Sequence, residues 1–307
     1  MIANRPILIT GAHRSGTTWV GRMIDASPLV GYIHEPFNLY QSLGVCGARF
    51  HYWFPYISDE NGSLYYEYIK NTICFRYNLV TEIKAIRNIE SIRRVLAEYL
   101  SFCKYRICNA RPLVKDPIAV FSAEWLAQNF NMDTVILIRH PAAFVSSLKR
   151  LNWTHPFSHF LEQPLLMKDH LYPFEAEIKE CANYGHDIID QGALLWRLIY
   201  HMVAKYQKDH DDWIFLRHED LSRDPLEGFH ALFNRLNLEF SESVEGAVRE
   251  YTNASNPREA PDGSSSIKRD SGSNIWNWKG RLEESEIERI RNQVEDVSSL
   301  FYSDDDW

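Results

Sequence analysis

The segment Gly11-Ala-His-Arg-Ser-Gly16-Thr17-Thr18 follows a short apolar run, Pro6 to Thr10. It leads into Trp19, Met23 and Ile24, which recur at helical spacing. A glycine-bearing turn between a strand and a helix aims several backbone N–H groups and the positive helix end at one point, where phosphate or sulfate fits. The segment approximates the nucleotide-triphosphatase loop, but Thr17 stands where that loop requires lysine. The cation sits instead at Arg14, within the turn beside Ser15 and Gly16, where a guanidinium can hold an oxyanion through two parallel hydrogen bonds. A second apolar run, Leu29 to Ile33, ends at His34-Glu35-Pro36. Glu35 is therefore expected on the same sheet edge as the loop, where a carboxylate can accept the proton of an attacking hydroxyl. His34 is the alternative base, and a surface carboxylate closing a strand is the bland alternative.

Holding these groups requires a sheet. Further strands are predicted at Leu113–Lys115, Thr134–Ile138 and Trp213–Arg217, each followed by a helical pattern with a proline near its start, Pro117, Pro141 and Pro225. Strands alternating with helices predict an α/β fold, a P-loop-like central parallel β-sheet flanked by helices on both faces. Helices are also expected over Ile89–Phe102, from about Ile188 to Tyr206, and over Glu283–Leu300, whereas Asn253–Ser273, rich in Ser, Asn, Gly and Pro, reads as a loop. Two irregular, aromatic-rich insertions, about 39–111 and 152–185, are expected on the acceptor side of a pocket. The chain carries no internal repeat, and residues 1–307 read as one domain.

These motifs together resemble the sulfotransferase superfamily, in style closest to its carbohydrate and tyrosylprotein types. Arg14-Ser15-Gly16-Thr17-Thr18-Trp19 is similar to the family's 5′-phosphosulfate loop, and Val135 to Lys149 is similar to its second motif, a strand ending in arginine with a serine eight residues further on. The resemblance implies 3′-phosphoadenosine 5′-phosphosulfate (PAPS) as co-substrate and 3′-phosphoadenosine 5′-phosphate (PAP) as product. Arg139 and Ser147 would grip the 3′-phosphate, with Ser146 in its place if the helix phase shifts by one. Loop amides and Arg14 would stabilise the departing 5′-phosphate, with hydroxyl donors from Thr17 and Thr18. Lys268-Arg269, then Trp278-Lys279, resemble the C-terminal element that closes on the 3′-phosphate. Trp19 resembles the aromatic residue that stacks on adenine, although a core tryptophan reads equally well. His218, in Arg217-His218-Glu219-Asp220-Leu221, stands where the family has a tyrosine near the adenine.

Glu35 resembles the catalytic glutamate of the tyrosylprotein enzymes and the Glu-Pro of the carbohydrate enzymes, and Lys115 the lysine near the bridging oxygen or the sulfonate. Asp116 would orient that lysine or the acceptor. Phenol and steroid enzymes carry a histidine base just beyond this lysine, where Asp116-Pro117 stand here, which turns the reading toward Glu35 and away from those substrates. A carbohydrate or glycoconjugate hydroxyl is the expected acceptor, with a peptide tyrosine or lipid headgroup second. Trp53, Phe54 and Tyr56 would stack on sugar rings, or form a lid or ordinary core, and His13 is a wall residue of the loop.

The bulk properties bound the alternatives. A net charge of −8 over 307 residues argues against a general nucleic-acid binder. No metal is expected, since neither a magnesium carboxylate nor zinc-ligand spacing stands out. The five cysteines, odd in number and unpaired in spacing, read as reduced thiols. No stretch reaches the roughly 20 apolar residues of a membrane span and no signal pattern opens the chain, so a cytoplasmic protein is expected. The sequons at Asn61, Asn152 and Asn253 matter only in a secretory compartment. Two rival readings fit the same loop, a P-loop small-molecule kinase using magnesium and a noncatalytic adenosine-bisphosphate-binding protein that kept the donor site. The absent loop lysine counts against the first, and Glu35 together with Lys115 against the second.

Overall fold

Four of the apolar runs are buried along almost their whole length, the signature of strands covered by helices on both faces. In the computed structural model, which describes residues 5–84, 86–259 and 267–307, they are β1 (Ile7–Gly11), β2 (Val30–His34), β3 (Arg111–Lys115) and β4 (Asp133–Ile138). They are joined by the half-buried β5 (Ile214–Arg217). All neighbours pair in parallel, in the order β2-β3-β1-β4-β5. Each element lies within one or two residues of its predicted place. β1 begins one residue late, because Pro6 has no N–H to pair and contributes only its carbonyl, which accepts from the Asp133 amide at 2.8 Å.

Strand alternation splits the core in two. Ile7 and Ile9 face the apolar side of α1 (Thr17–Asp25) and the helix Pro225–Arg235, through Val20, Met23, Phe229 and Phe233. Leu8 and Ile136 face the other layer, built on the helices Pro141–Leu151, Ile188–Asp209 and Glu284–Ser298. Proline opens the segment after each of two strands as expected. Pro117, however, starts a six-residue 3₁₀ turn before helix Ala123–Phe130, and a separate helix His218–Arg223 intervenes before Pro225. The expected loop 253–273 ends in a short helix, Ser271–Asn274, capped by Asp270; its residues 260–266 lie outside the described residues.

In a parallel sheet every strand ends on the same edge; here the connection from β1 runs to one side, to β2, and the one from β3 crosses to the other, to β4. Gly11, Glu35, Lys115, Arg139 and His218 all sit on that edge or one residue beyond it. β1 is the middle strand, so the loop after it opens into the crevice where connections diverge. Gly11 has φ 137°, and a Cβ there would run into the Leu137 carbonyl oxygen of β4. Gly11→Ala is expected to cost about 3 kcal/mol or more, read as a lowered urea midpoint. An unchanged midpoint would show that β1 and β4 do not meet this closely.

Candidate active site

Residues Ala12 to Gly16 turn the chain from β1 into α1. The Ser15 hydroxyl and amide both return to the Ala12 carbonyl, at 2.5 and 3.2 Å, so Ser15 shapes the turn from a buried position. Arg14 and Gly16 adopt φ 64° and 96°. Only glycine fits at 16, since an added Cβ would lie 2.6 Å from the His218 ring. No side chain caps α1, and the first-turn amides of Thr17, Thr18 and Trp19 have no helical acceptor, which leaves them available to an anion.

Arg139 follows β4, and its backbone is fixed from helix Ile188–Asp209. Its amide donates to the Tyr200 hydroxyl at 3.0 Å, and its carbonyl accepts from the Trp196 indole at 2.8 Å. That helix therefore does more than pack. The Arg139 Nη1 donates to the Arg14 carbonyl, while its Nε is buried with no partner. Arg14 in turn donates from Nε to the Ser147 hydroxyl at 2.9 Å. Ser146 points back into its own helix, to the Ala143 carbonyl, so Ser147 is the serine on the loop side. Burial first, then the charges of Arg139, Arg150, Arg269 and Arg281, bring the Arg14 pKa down to about 10.

Five guanidinium groups thus share one region. Glu259 meets two of them, Arg150 at 3.1 Å and Arg281 at 2.6 Å. Sequence reasoning missed Arg150 and Arg281, whose only signal is that they flank the recognised segments, three residues after Ser147 and two after Lys279.

On the other side of the loop, register places the carboxylate. His34 of β2 pairs with Lys115 of β3, which puts Glu35 one residue past the strand end. The Glu35 amide closes on the Lys115 carbonyl at 2.8 Å, its backbone turns to φ 43°, and its Oε1 meets the Lys115 Nζ at 2.5 Å. Asn38, also unforeseen, donates to Oε2 at 3.0 Å. Burial pushes the Glu35 pKa up, but the charge and hydrogen bond of Lys115, with His34 and Asn38, outweigh it and hold the carboxyl below its ordinary value. Lys115 is itself fully buried.

Asp116 is fully buried inside the wall. Its two oxygens accept from the Phe37 and Ile118 amides at 2.6 and 2.9 Å, and burial raises its pKa to about 7. His34 points outward, more than half exposed, with Nδ1 3.2 Å from the Tyr32 hydroxyl.

Arg14, Thr17, Thr18 and Glu35 line a cavity of about 560 Å³. Its far walls come from both aromatic-rich insertions, Tyr40, Trp53 and Phe54 from the first and Asn152 to Pro156 from the second. Trp153 and His155 were not anticipated. His13 also lines the cavity, ringed by Phe54, Phe144 and Trp153; burial, then Arg14, drops its pKa to about 4, so the imidazole is neutral. Tyr56 lies elsewhere, bonded to Asp169 and His170. Trp19 is core, packed edge-on to His218 and Phe229, and His218 is buried under Gly16. Among the basic residues of the C-terminal region, Arg269 is within electrostatic reach of Arg14, whereas Lys268 pairs with Glu250 and Lys279 donates to the Trp307 carbonyl at 2.7 Å. Among the described residues no cluster of His, Cys, Asp and Glu is arranged for a metal ion, and no helix is long and apolar enough to cross a membrane.

The chain matches the model of the sulfotransferase family over residues 6–242. No curated protein matches it. Among solved structures it is similar to the sulfotransferase domain from the Synechococcus PCC 7002 olefin synthase, with 14% identity, 98% of this chain and 96% of that chain covered, and a TM-score of 0.47. The sulfotransferase domain from the curacin biosynthetic pathway gives 13%, 95%, 98% and 0.48, and mouse sulfotransferase SULT7A1 complexed with PAP gives 10%, 97%, 85% and 0.43.

The arginine cluster predicts metal-independent binding of a small polyanion. In EDTA, inorganic pyrophosphate at about 100 times its dissociation constant should stabilise the protein by about 2.7 kcal/mol, seen as a raised melting temperature. Arg139→Ala should remove the shift, and an equal shift in the variant would place the anion elsewhere.

Proposed function

The chain belongs to the sulfotransferase family and is a sulfotransferase enzyme, and from that premise we propose that it moves the sulfonate of PAPS to a hydroxyl of a carbohydrate or glycoconjugate, with Glu35 as general base. The observation that carries this reading is the Glu35–Lys115 pair, whose carboxylate lines the same cavity as the anion loop. The donor suits the residues present. Arg139, with its unpartnered buried Nε, and Ser147 would take the 3′-phosphate, and the amides and hydroxyls of Thr17 and Thr18 with Arg14 the 5′-phosphosulfate. Arg269 would add charge near the 3′-phosphate.

Sulfonate transfer needs an acceptor oxygen in line with the sulfur, compensation for charge on the leaving phosphate, and a place for the acceptor proton. As the acceptor oxygen bonds to sulfur, the bond from sulfur to the 5′-phosphate breaks, and the hydroxyl proton passes to Glu35. Glu35 is kept ionised for that step by Lys115, and Lys115 with Arg14 offsets charge on the leaving group. His34 could serve only from the outer side of the strand end, which favours Glu35. The acceptor preference rests on the Trp53 and Trp153 rings, apolar faces for a sugar, beside the hydrogen-bonding groups of Asn38, Asn152 and Thr154.

Calorimetric titration in EDTA is expected to show binding of PAP and none of ATP, with the PAP heat lost in Arg139→Ala. Magnesium-dependent ATP binding in place of PAP binding would overturn the donor assignment. With an accepted sugar substrate, Glu35→Gln should lower kcat about 100-fold or more while PAP affinity is retained. The acid limb of kcat/KM should fall below the ordinary glutamate value of about 4.3, because activity needs the carboxylate and its pKa is depressed. A wild-type rate in Glu35→Gln would remove it as the base.

A further inference from the structure

The helix Ile89–Ile107 has two apolar faces, and only one is used. Val95 and Phe102 are buried against the domain, whereas Ile89, Ile92, Leu96, Leu100 and Ile107 are 41–83% exposed. At 100° per residue those five fall on one continuous stripe along a helix about 28 Å long. The adjoining helix Leu79–Ile83 extends the same apolar character with exposed Val80 and Ile83.

Charge says what covers this stripe. Residues 79–107 hold six Lys and Arg against three Glu in a chain whose net charge is −8. Glu82 and Glu98 are both occupied by Arg94, at 2.9 and 3.1 Å. Lys84, Arg87, Arg93, Lys104 and Arg106 make no ion pair among the described residues. Arg93 and Lys104 flank the stripe on one side and Arg106 on the other, while exposed Glu90 is turned further from it. An apolar stripe between basic margins is the pattern of a helix lying in the headgroup region of an anionic bilayer. A second copy of the chain suits it less, because parallel or antiparallel pairing of two such helices sets basic margin against basic margin. We infer that helix Ile89–Ile107, with Leu79–Ile83, is a peripheral docking face for an anionic membrane surface.

The test is co-sedimentation of the full chain with vesicles of equimolar phosphatidylglycerol and phosphatidylcholine, and with pure phosphatidylcholine, at low and high salt. Binding is expected only to the anionic vesicles, weakened by salt. Leu96→Ser with Leu100→Ser, and separately Arg93→Glu with Lys104→Glu, should each lower the partition coefficient roughly tenfold. These side chains are exposed and away from the cavity, so melting temperature and PAP binding should stay at wild-type values and report that the fold is intact. No vesicle binding by the folded wild type overturns the proposal. So does a self-association, seen by sedimentation equilibrium, that the leucine variant abolishes while vesicle binding is unaffected.

Discussion

Five guanidinium groups gathered at one end of a sheet are a constraint that the surrounding structure has to answer. Like charges in a partly buried region repel, and Arg14 registers the strain in a lowered pKa, through burial and then its four neighbours. The fold answers by rigidity. Arg139 is clamped through its backbone by Trp196 and Tyr200, both fully buried on one helix, and spends one donor on the Arg14 carbonyl. The acids it supplies are few. Glu259 bridges Arg150 and Arg281, and Glu219 lies within electrostatic reach of Arg139. Glu219 is poorly suited as a full counter-ion, because burial raises its pKa and its oxygens are already engaged by the His140 amide and the Tyr302 hydroxyl, each at 3.0 Å. The cluster is therefore pre-organised for an incoming anion, with little reorganisation left for the moment of binding.

The same logic in reverse governs Lys115 and Glu35. A fully buried ammonium is costly unless it is paired, and parallel register provides the partner by ending β2 and β3 level with each other. The carboxylate reaches back only because Glu35 leaves the strand with a positive φ, a conformation unfavourable for glutamate and held by its amide on the Lys115 carbonyl. Asp116, the residue after Lys115, has a structural task in the same geometry. Both its oxygens are consumed in tethering the Phe37 and Ile118 amides, which fixes the turns after β2 and β3 against each other.

How far the sequence reached follows from which signals are local. Strand and helix positions depend on apolar periodicity and proline punctuation, so all five strands and the helices at 89, 188 and 283 stood within a few residues of their structural bounds. Glu35, Lys115 and Arg139 were legible because each ends or follows such an element, and Ser147 because it stands eight residues beyond Arg139. Arg150, Arg281, Trp153 and His155 were not, since each joins the site through a tertiary contact that no spacing encodes, and Asn38 reaches the Glu35 carboxylate only through the tight turn that follows β2. Trp19 shows the converse: helical spacing placed it on α1, but the presence of Phe229 and His218 on its inner face was a tertiary fact, and it makes the residue core. Lys268 and Lys279 show the same dependence on surroundings, since a lysine's long stem lets its partners, here Glu250 and the Trp307 carbonyl, decide where the charge sits.

Net charge is a weak guide to such a protein because charge is partitioned by location. The chain is acidic overall, yet its cations gather at the end of β1 and along helix Ile89–Ile107, while many acids are distributed over exposed helices such as Glu242–Thr252 and Glu284–Ser298. An acidic exterior opposes non-specific capture by nucleic acid, and the largely half-buried arginines at the end of β1 are set apart from it by distance. A small dianion that reaches the loop meets amides and guanidiniums at contact range, where the interaction is strong. A large polyanion feels the surface first. The arrangement thus separates a ligand small enough to enter the crevice from one that must stay outside it, and size, as much as charge, becomes the filter.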